Sequence, residues 1–148
     1  EDKKAISRAE RLFEKIKADP NLKLDLAAHH GLLLNYSVRG ISPKARRLLQ
    51  AILDSETLKP NRNTFTMVID SYSRSSSTAN AGEKAEELLD QMRQLHAAGN
   101  TNVEPDNVCY ASVIRCKQAS TSKPINELTE FDKLQLMREL QIENWPFQ

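Results

Sequence analysis

The sequence is poor in the residues that build catalytic, metal-binding or disulfide-linked proteins. It has two cysteines, three histidines and four glycines in 148 residues, and only 5% of its residues are aromatic. No run of 18 apolar residues occurs, so we expect no membrane span. Its length predicts one domain or a piece of one, and a composition of 39% hydrophobic and 28% charged residues is ordinary for a soluble α-helical protein.

The cysteines and histidines are badly placed for a disulfide or a metal ion. Cys109 and Cys116 lie seven residues apart on one predicted helix, about 10.5 Å along its axis, which is too far for a disulfide. Two thiols alone are a poor metal site. His29 and His30 are adjacent and point about 100° apart on a helix, and His96 has no obvious partner. We therefore predict no metal ion and no cofactor.

No catalytic motif is recognisable in the chain. It lacks a glycine-rich phosphate loop, a nucleophile elbow and a pair of isolated carboxylates, and its acidic residues lie beside Lys and Arg at helical spacing. We predict no catalytic residue, no enzymatic activity and no small-molecule substrate. The chain begins at Glu1 without an initiator methionine, which favours a processed protein or an excised fragment.

The net charge of +1 is no nucleic-acid signature, but the charge is unevenly distributed. Residues 1–60 carry 12 Lys/Arg against 8 Asp/Glu, whereas the remainder carries 9 against 12. A basic half favours contact with a phosphate backbone. The alternative is that these charges only solvate the outer faces of helices.

One amphipathic helix occurs three times in variant form. Residues 8–16, 44–52 and 84–92 each begin an apolar stripe at i, i+3, i+4 and i+7, with Ala9, Ala45 and Ala85 in the first place. The spacings between these alanines are 36 and 40 residues. A helix that recurs at this period predicts a helical-repeat array, in which neighbouring units bury each other's apolar faces. Such an array favours binding over catalysis.

A second helix precedes the later stripes and also recurs. Residues 32–36 match residues 68–72, each with two apolar residues followed by a tyrosine, and the pair at 113–114 follows 45 residues after the pair at 68–69. We predict that both tyrosines pack between helices. Each unit is then a helix A, a turn and a helix B.

Capping residues mark the ends of these helices. Asn61 and Asp106 each follow a proline and are predicted N-caps, and Asp25 takes the same place in the first unit. Ser42 before Pro43 is a predicted N-cap of a helix B. Asn80 and Glu83 form a predicted capping pair before another helix B. The predicted helices span about 3–18, 26–38, 43–55, 62–74, 81–97, 107–119 and 126–141.

Three segments resemble pentatricopeptide repeats (PPR). Residues 58–74 (LKPNRNTFTMVIDSYSR) resemble helix A of such a repeat, residues 84–92 resemble its helix B, and residues 103–110 (VEPDNVCY) resemble the junction into the next unit. The likeness covers about 8–119. Tetratricopeptide repeats are the nearest rival, but their Trp and Leu-Gly signature is absent. The unit 62–106 is longer than the roughly 35 residues usual in the family, with insertions between its helices.

The resemblance implies an all-α fold, an α-solenoid of about three PPR-like units wound in a right-handed superhelix. The predicted organisation is one domain over 1–148. It comprises a helix B remnant over 1–25, repeats over 26–61 and 62–106, and a repeat or cap over 107–148. The apolar tail around Trp145 and Phe147 is predicted to pack as an end cap.

The resemblance also implies single-stranded RNA as the partner, with one base bound per repeat. The implied base-reading residues are the fifth of each helix A and the last of each repeat: His30 with Asn61, Thr66 with Asp106, and Ala111. The residues implied to sandwich the bases are Ala27, Asn63 and Val108. The implied phosphate contacts are Arg39, Arg74, Arg115 and Lys117. Thr66 with Asp106 resembles a family combination that prefers guanine.

Two functions of different classes remain open. The first is an RNA-binding module of an organellar factor for RNA processing, stability or translation, located in a mitochondrion or plastid, as the resemblance implies. The second is a structural subunit that docks by protein–protein contacts on a large organellar assembly such as a ribosome or an energy-converting complex. RNA binding predicts that the four basic residues above line the groove of the A helices. Docking predicts apolar side chains exposed on the terminal helices or the tail.

Overall fold

The computed structural model describes residues 2–76, 78–119, 121 and 123–147. Within these residues there are seven α-helices, two short 3-10 helices and no β-strand. The predicted domain ends at residues 1 and 148 lie outside the described residues. The α-helices are α1 (Asp2–Ala18), α2 (Leu26–Val38), α3 (Ser42–Asp54), α4 (Arg62–Ser73), α5 (Ala81–Ala97), α6 (Asn107–Ala119) and α7 (Glu130–Leu140). The 3-10 helices span Thr101–Val103 and Ile125–Glu127.

The helices pack as in an α-helical repeat solenoid, which confirms the predicted fold class. Each helix from α1 to α5 packs against the next one along the chain. In addition α2 packs against α4, and α4 against α6. The predicted A helices therefore lie side by side in one row. Their buried apolar residues and those of the B helices form one continuous core.

Local signals in the sequence explain where several helices begin. The carboxylate of Asp25 accepts a hydrogen bond from the amide of Ala28 at 2.8 Å and so caps α2. Asn61 and Thr64 form a reciprocal capping box at the start of α4. The helix bounds predicted for α2, α5 and α6 agree with the structure, and those of the others differ by a few residues.

Two predicted caps are wrong. Ser42 is the first helical residue of α3 instead of its N-cap, and its hydroxyl lies 2.7 Å from that of Thr78. Asn80 precedes α5 with a φ of 61°, in the left-handed region, and its side chain makes no capping hydrogen bond. Because this conformation differs from the extended one that an N-cap normally adopts, the predicted pairing of Asn80 with Glu83 does not form.

The tyrosines and the C-terminal tail pack as predicted. Tyr36 and Tyr72 are buried in the core. The hydroxyl of Tyr36 donates a 2.8 Å hydrogen bond to the carboxylate of Glu10 on α1. Trp145 and Phe147 are half-buried and lie against the core. These contacts tie both ends of the described chain to the central helices.

Both cysteines are free, as their spacing predicts, and both are fully buried on α6. Burial raises the pKa of Cys109, and it raises the pKa of Cys116 to about 12. Since the thiolate is the reactive species, we expect neither thiol to react with Ellman's reagent at pH 8 in the native protein. Both should react at the urea concentration at which far-UV circular dichroism reports unfolding. Rapid labelling of one thiol without urea would contradict this packing.

Candidate nucleic-acid interface

The residues predicted to sandwich bases lie at equivalent places on three adjacent helices. Ala27, Asn63 and Val108 are the second residues of α2, α4 and α6, and all three side chains are exposed. Val108 is 60% exposed. Because these helices lie side by side, the three residues belong to one surface. We call this surface, formed by the exposed sides of α2, α4 and α6, the A-helix face.

The first predicted base-reading pair is brought together at the junction of α2 and α4. The Nε2 atom of His30 lies 2.8 Å from the hydroxyl of Thr64. That hydroxyl also accepts a 3.0 Å hydrogen bond from the amide of Asn61 and donates to the Asn61 side-chain oxygen at 3.2 Å. His30 and Asn61 thus share Thr64 as a common neighbour.

The second pair is brought together in the same way at the junction of α4 and α6. The hydroxyl of Thr66 lies 3.3 Å from the sulfur of Cys109, whose amide donates a 3.1 Å hydrogen bond to the carboxylate of Asp106. Arg62 reaches both residues as well. Its carbonyl accepts a hydrogen bond from Thr66, and its guanidinium lies 3.4 Å from the Asp106 carboxylate.

The two junctions therefore have the same arrangement of residues. In each, the fifth residue of one A helix meets the buried third residue of the next, Thr64 or Cys109. That third residue is in turn hydrogen-bonded to the Asx before its helix. Sequence reasoning missed Thr64, Cys109 and Arg62. The signal for Thr64 was its place three residues after the capping Asn61, which is the capping-box spacing.

The electrostatics at the first junction favour hydrogen bonding over charge. Burial, and to a lesser degree the neighbouring His29, lower the pKa of His30 below its ordinary value. Both effects favour the neutral form of the His30 imidazole. A neutral imidazole both donates and accepts hydrogen bonds, which suits it to contact the edge of an uncharged base.

Ala111, the last of the predicted base-reading residues, differs from the other fifth residues. Its side chain is buried within the packed part of α6. A buried methyl group presents neither a donor nor an acceptor to a ligand. The interface proposed below does not include it.

Three of the predicted phosphate contacts, Arg39, Arg74 and Arg115, lie on or directly after an A helix. Arg39 and Arg74 both follow the last residue of an A helix, α2 and α4 respectively. The guanidinium of Arg39 donates to the backbone and side-chain oxygens of Asn35, at 3.3 and 2.9 Å. Arg74 and Arg115 are exposed. The guanidinium carbon of Arg115 lies 5.2 Å from the centre of the Phe147 ring.

Lys117, the last of the predicted phosphate contacts, is directed towards carboxylates of α5 and α7. Its ammonium group is held between Glu86 on α5 and Glu139 on α7, with the Glu139 oxygen at 3.0 Å. The side chain is also largely buried, with 20% of its surface exposed. Two carboxylates already balance its charge, so we leave Lys117 out of the interface.

Large apolar side chains are exposed on the terminal helices, as docking predicts. Phe131 and Leu134 on α7 are 73% and 58% exposed, and Leu12 on α1 is also exposed. The A-helix face has its own exposed apolar residues, Leu34 and Val38 on α2. No helix in the described residues is both long and apolar enough to cross a membrane. Within the same residues, no three His, Cys, Asp or Glu side chains are grouped to hold a metal ion.

Comparisons with known proteins give one informative similarity. No protein-family model matches the chain, and no solved structure matches it. The chain is 27% identical over 131 residues to a pentatricopeptide repeat-containing protein of Arabidopsis thaliana. The match covers 84% of this chain but only 27% of that relative, so the chain spans about a quarter of its length. The sequence is thus similar to a PPR protein over most of its length, in agreement with its helical-repeat fold.

Proposed function

We propose that this chain is a non-enzymatic, PPR-type module that binds single-stranded RNA along the A-helix face. The observation that carries the proposal is that the two junctions have the same arrangement of residues. Each junction connects a polar side chain, His30 or Thr66, to the Asx residue that ends the same repeat through one intervening residue. A solenoid that repeats one pair of polar side chains per unit has the geometry for binding one base per unit.

The exposed second residues complete such a site. Ala27, Asn63 and Val108 flank the two junctions on neighbouring helices, and Val108 offers an aliphatic surface for a base to stack upon. Arg74 and Arg115 supply positive charge on α4 and α6. Base contacts in single-stranded sites contribute about 1–3 kcal/mol each. Two such sites predict weak binding with limited selectivity.

We propose that the chain acts in a mitochondrion or a plastid, as part of a factor for RNA processing, stability or translation. The similarity to a PPR protein supports this proposal. The proposal assigns no cofactor and no metal to this activity.

The test is a fluorescence-anisotropy titration with short single-stranded RNAs that contain or lack guanine, at two salt concentrations. We expect salt-sensitive binding that favours guanine, and we expect the preference to be lost in Thr66→Val with Asp106→Asn. Asparagine caps a helix as well as aspartate does, so α6 should remain folded in this variant.

A matched control makes the same two chemical changes away from the A-helix face. Thr101→Val with Asp90→Asn alters exposed residues of a 3-10 helix and of α5, and it should retain the preference for guanine. Equal loss of the preference in both variants would count against a role for Thr66 and Asp106.

The second candidate function is docking on a protein assembly. The exposure of Phe131 and Leu134 on α7 favours it, because large apolar side chains in water mark interaction surfaces. The same titration separates the two functions. Absence of binding to any RNA at low salt would reject the first and favour the second.

A further inference from the structure

Helix α1 carries four basic residues in a single stripe on its outward side. Lys4, Arg8, Arg11 and Lys15 follow one another at steps of four, three and four residues, and all are exposed. At 100° per residue they fall within an arc of about 60°, and they extend about 16 Å along the helix axis. We call these four residues the α1 stripe.

Two acidic residues of α1, Glu10 and Glu14, lie outside the arc of the stripe. Glu10 and Glu14 both line the cleft between α1 and α3, which also contains Tyr36 and Lys44. Glu10 accepts hydrogen bonds from Lys44 at 2.6 Å and from Tyr36 at 2.8 Å. No carboxylate lies inside the arc of the stripe, although Glu10 and Glu14 also line a groove with Arg11 and Lys15 at its edge.

Elsewhere among the described residues, seven basic residues form ion pairs with carboxylates. These basic residues are Lys44, Arg62, Lys84, Arg93, Lys117, Lys123 and Lys133. Among the residues that the structure describes, no carboxylate pairs with the α1 stripe. Like charges three or four residues apart repel each other on a helix. Repulsion among these four cations therefore destabilises α1, and a bound anion would relieve it.

The rest of α1 narrows the choice of anion. Its apolar residues Ile6, Ala9 and Phe13 pack against the core, and Leu12 is the one large apolar side chain of this helix that is exposed, which is too small a surface to enter a lipid bilayer. Within the arc there is also no aromatic residue of the kind that anchors protein partners. A row of cations beside a single exposed leucine suits a ligand whose own charges repeat along its length.

We propose that the α1 stripe binds the phosphate backbone of RNA, as a second and sequence-independent surface. The inference rests on the RNA binding proposed for the A-helix face and extends it to α1. Bases are selected on the A-helix face, while the stripe adds affinity that depends on salt and is indifferent to sequence.

The test measures how the affinity for a single-stranded RNA of 20 uridine nucleotides depends on the salt concentration. The variant replaces the whole stripe, Lys4→Gln, Arg8→Gln, Arg11→Gln and Lys15→Gln, and keeps residues of high helix propensity. Losing four phosphate contacts should reduce the slope of log affinity against log salt by about 3. We also expect binding at low salt to weaken at least about tenfold.

A scattered control changes the net charge by the same amount. Lys23→Gln, Lys59→Gln, Lys84→Gln and Arg138→Gln replace exposed residues of other segments, and this variant should keep most of the wild-type slope. An equal decrease in both variants would overturn the inference, since overall charge would then explain the binding. Failure of the wild-type chain to bind the homopolymer while it binds guanine-containing RNA would also overturn it.

The outcomes separate this inference from the proposed function. A stripe variant that keeps the preference for guanine but has the smaller slope supports both. In another outcome the stripe variant has the smaller slope, the wild-type chain shows no preference for guanine, and the variant of Thr66 and Asp106 binds as the wild type does. This outcome supports the stripe and rejects base selection on the A-helix face. Absence of binding to every RNA at low salt rejects both.

Discussion

Phe65→Ala is expected to lower the free energy of unfolding by about 3–5 kcal/mol, the largest effect of any single truncation proposed here. Phe65 is fully buried on α4, and α4 packs against α2, α3, α5 and α6. Removing its ring leaves a cavity at the centre of the array. The surrounding helices hold one another in place and cannot collapse into it, so the loss of contact is not recovered.

The matched control is Phe131→Ala, which removes the same atoms from a side chain that is 73% exposed on α7. Its cost should be within about 0.5 kcal/mol of zero. Urea denaturation followed by far-UV circular dichroism measures both changes. Similar midpoints for the two variants would contradict the central position of Phe65 in the core.

Gly40→Ala is expected to cost about 2–3 kcal/mol of folding free energy. Gly40 lies in the turn between α2 and α3 with a φ of 65°, a left-handed conformation that alanine adopts only with strain. A Cβ atom at this position would lie 2.5 Å from the carbonyl oxygen of Arg74, at the end of α4. The backbone strain and the steric clash therefore both destabilise the folded variant.

Gly31→Ala is the control, and we expect a change of the opposite sign. Gly31 is exposed within α2, and an added Cβ would meet no atom within 4 Å. Alanine in a helix interior is more stable than glycine by about 0.5–1 kcal/mol. Thermal unfolding of the two variants should therefore give melting temperatures on either side of the wild-type value. A stabilising Gly40→Ala would show that the turn relaxes away from Arg74.

The close approach at Gly40 also matters for the proposed interface. Arg74 is a predicted phosphate contact, and its backbone is fixed where α4 meets the turn between α2 and α3. A shift of this turn would move Arg74 relative to the second residues of the A helices. The packing of glycine at residue 40 thus links the stability of the array to the geometry of the A-helix face.

The sequence alone determined the helices and their order. The apolar stripes that begin at Ala9, Ala45 and Ala85 give the B helices, and the capping residues Asp25, Asn61 and Asp106 mark the starts of the A helices. These signals are local, because helical periodicity and capping depend on residues a few positions apart. The packing of the tyrosines follows from the same stripes.

Only the tertiary structure decided which side chains meet. Lys117 and its carboxylate partners are far apart in sequence, and no helical pattern predicts that Glu86 and Glu139 enclose it. Ala111 is buried although it occupies the same helix position as His30 and Thr66. The meeting of His30 with Thr64, and of Thr66 with Cys109, depends on the side-by-side packing of the A helices. Contacts between helices depend on how the units stack, and the pattern within one helix does not contain that information.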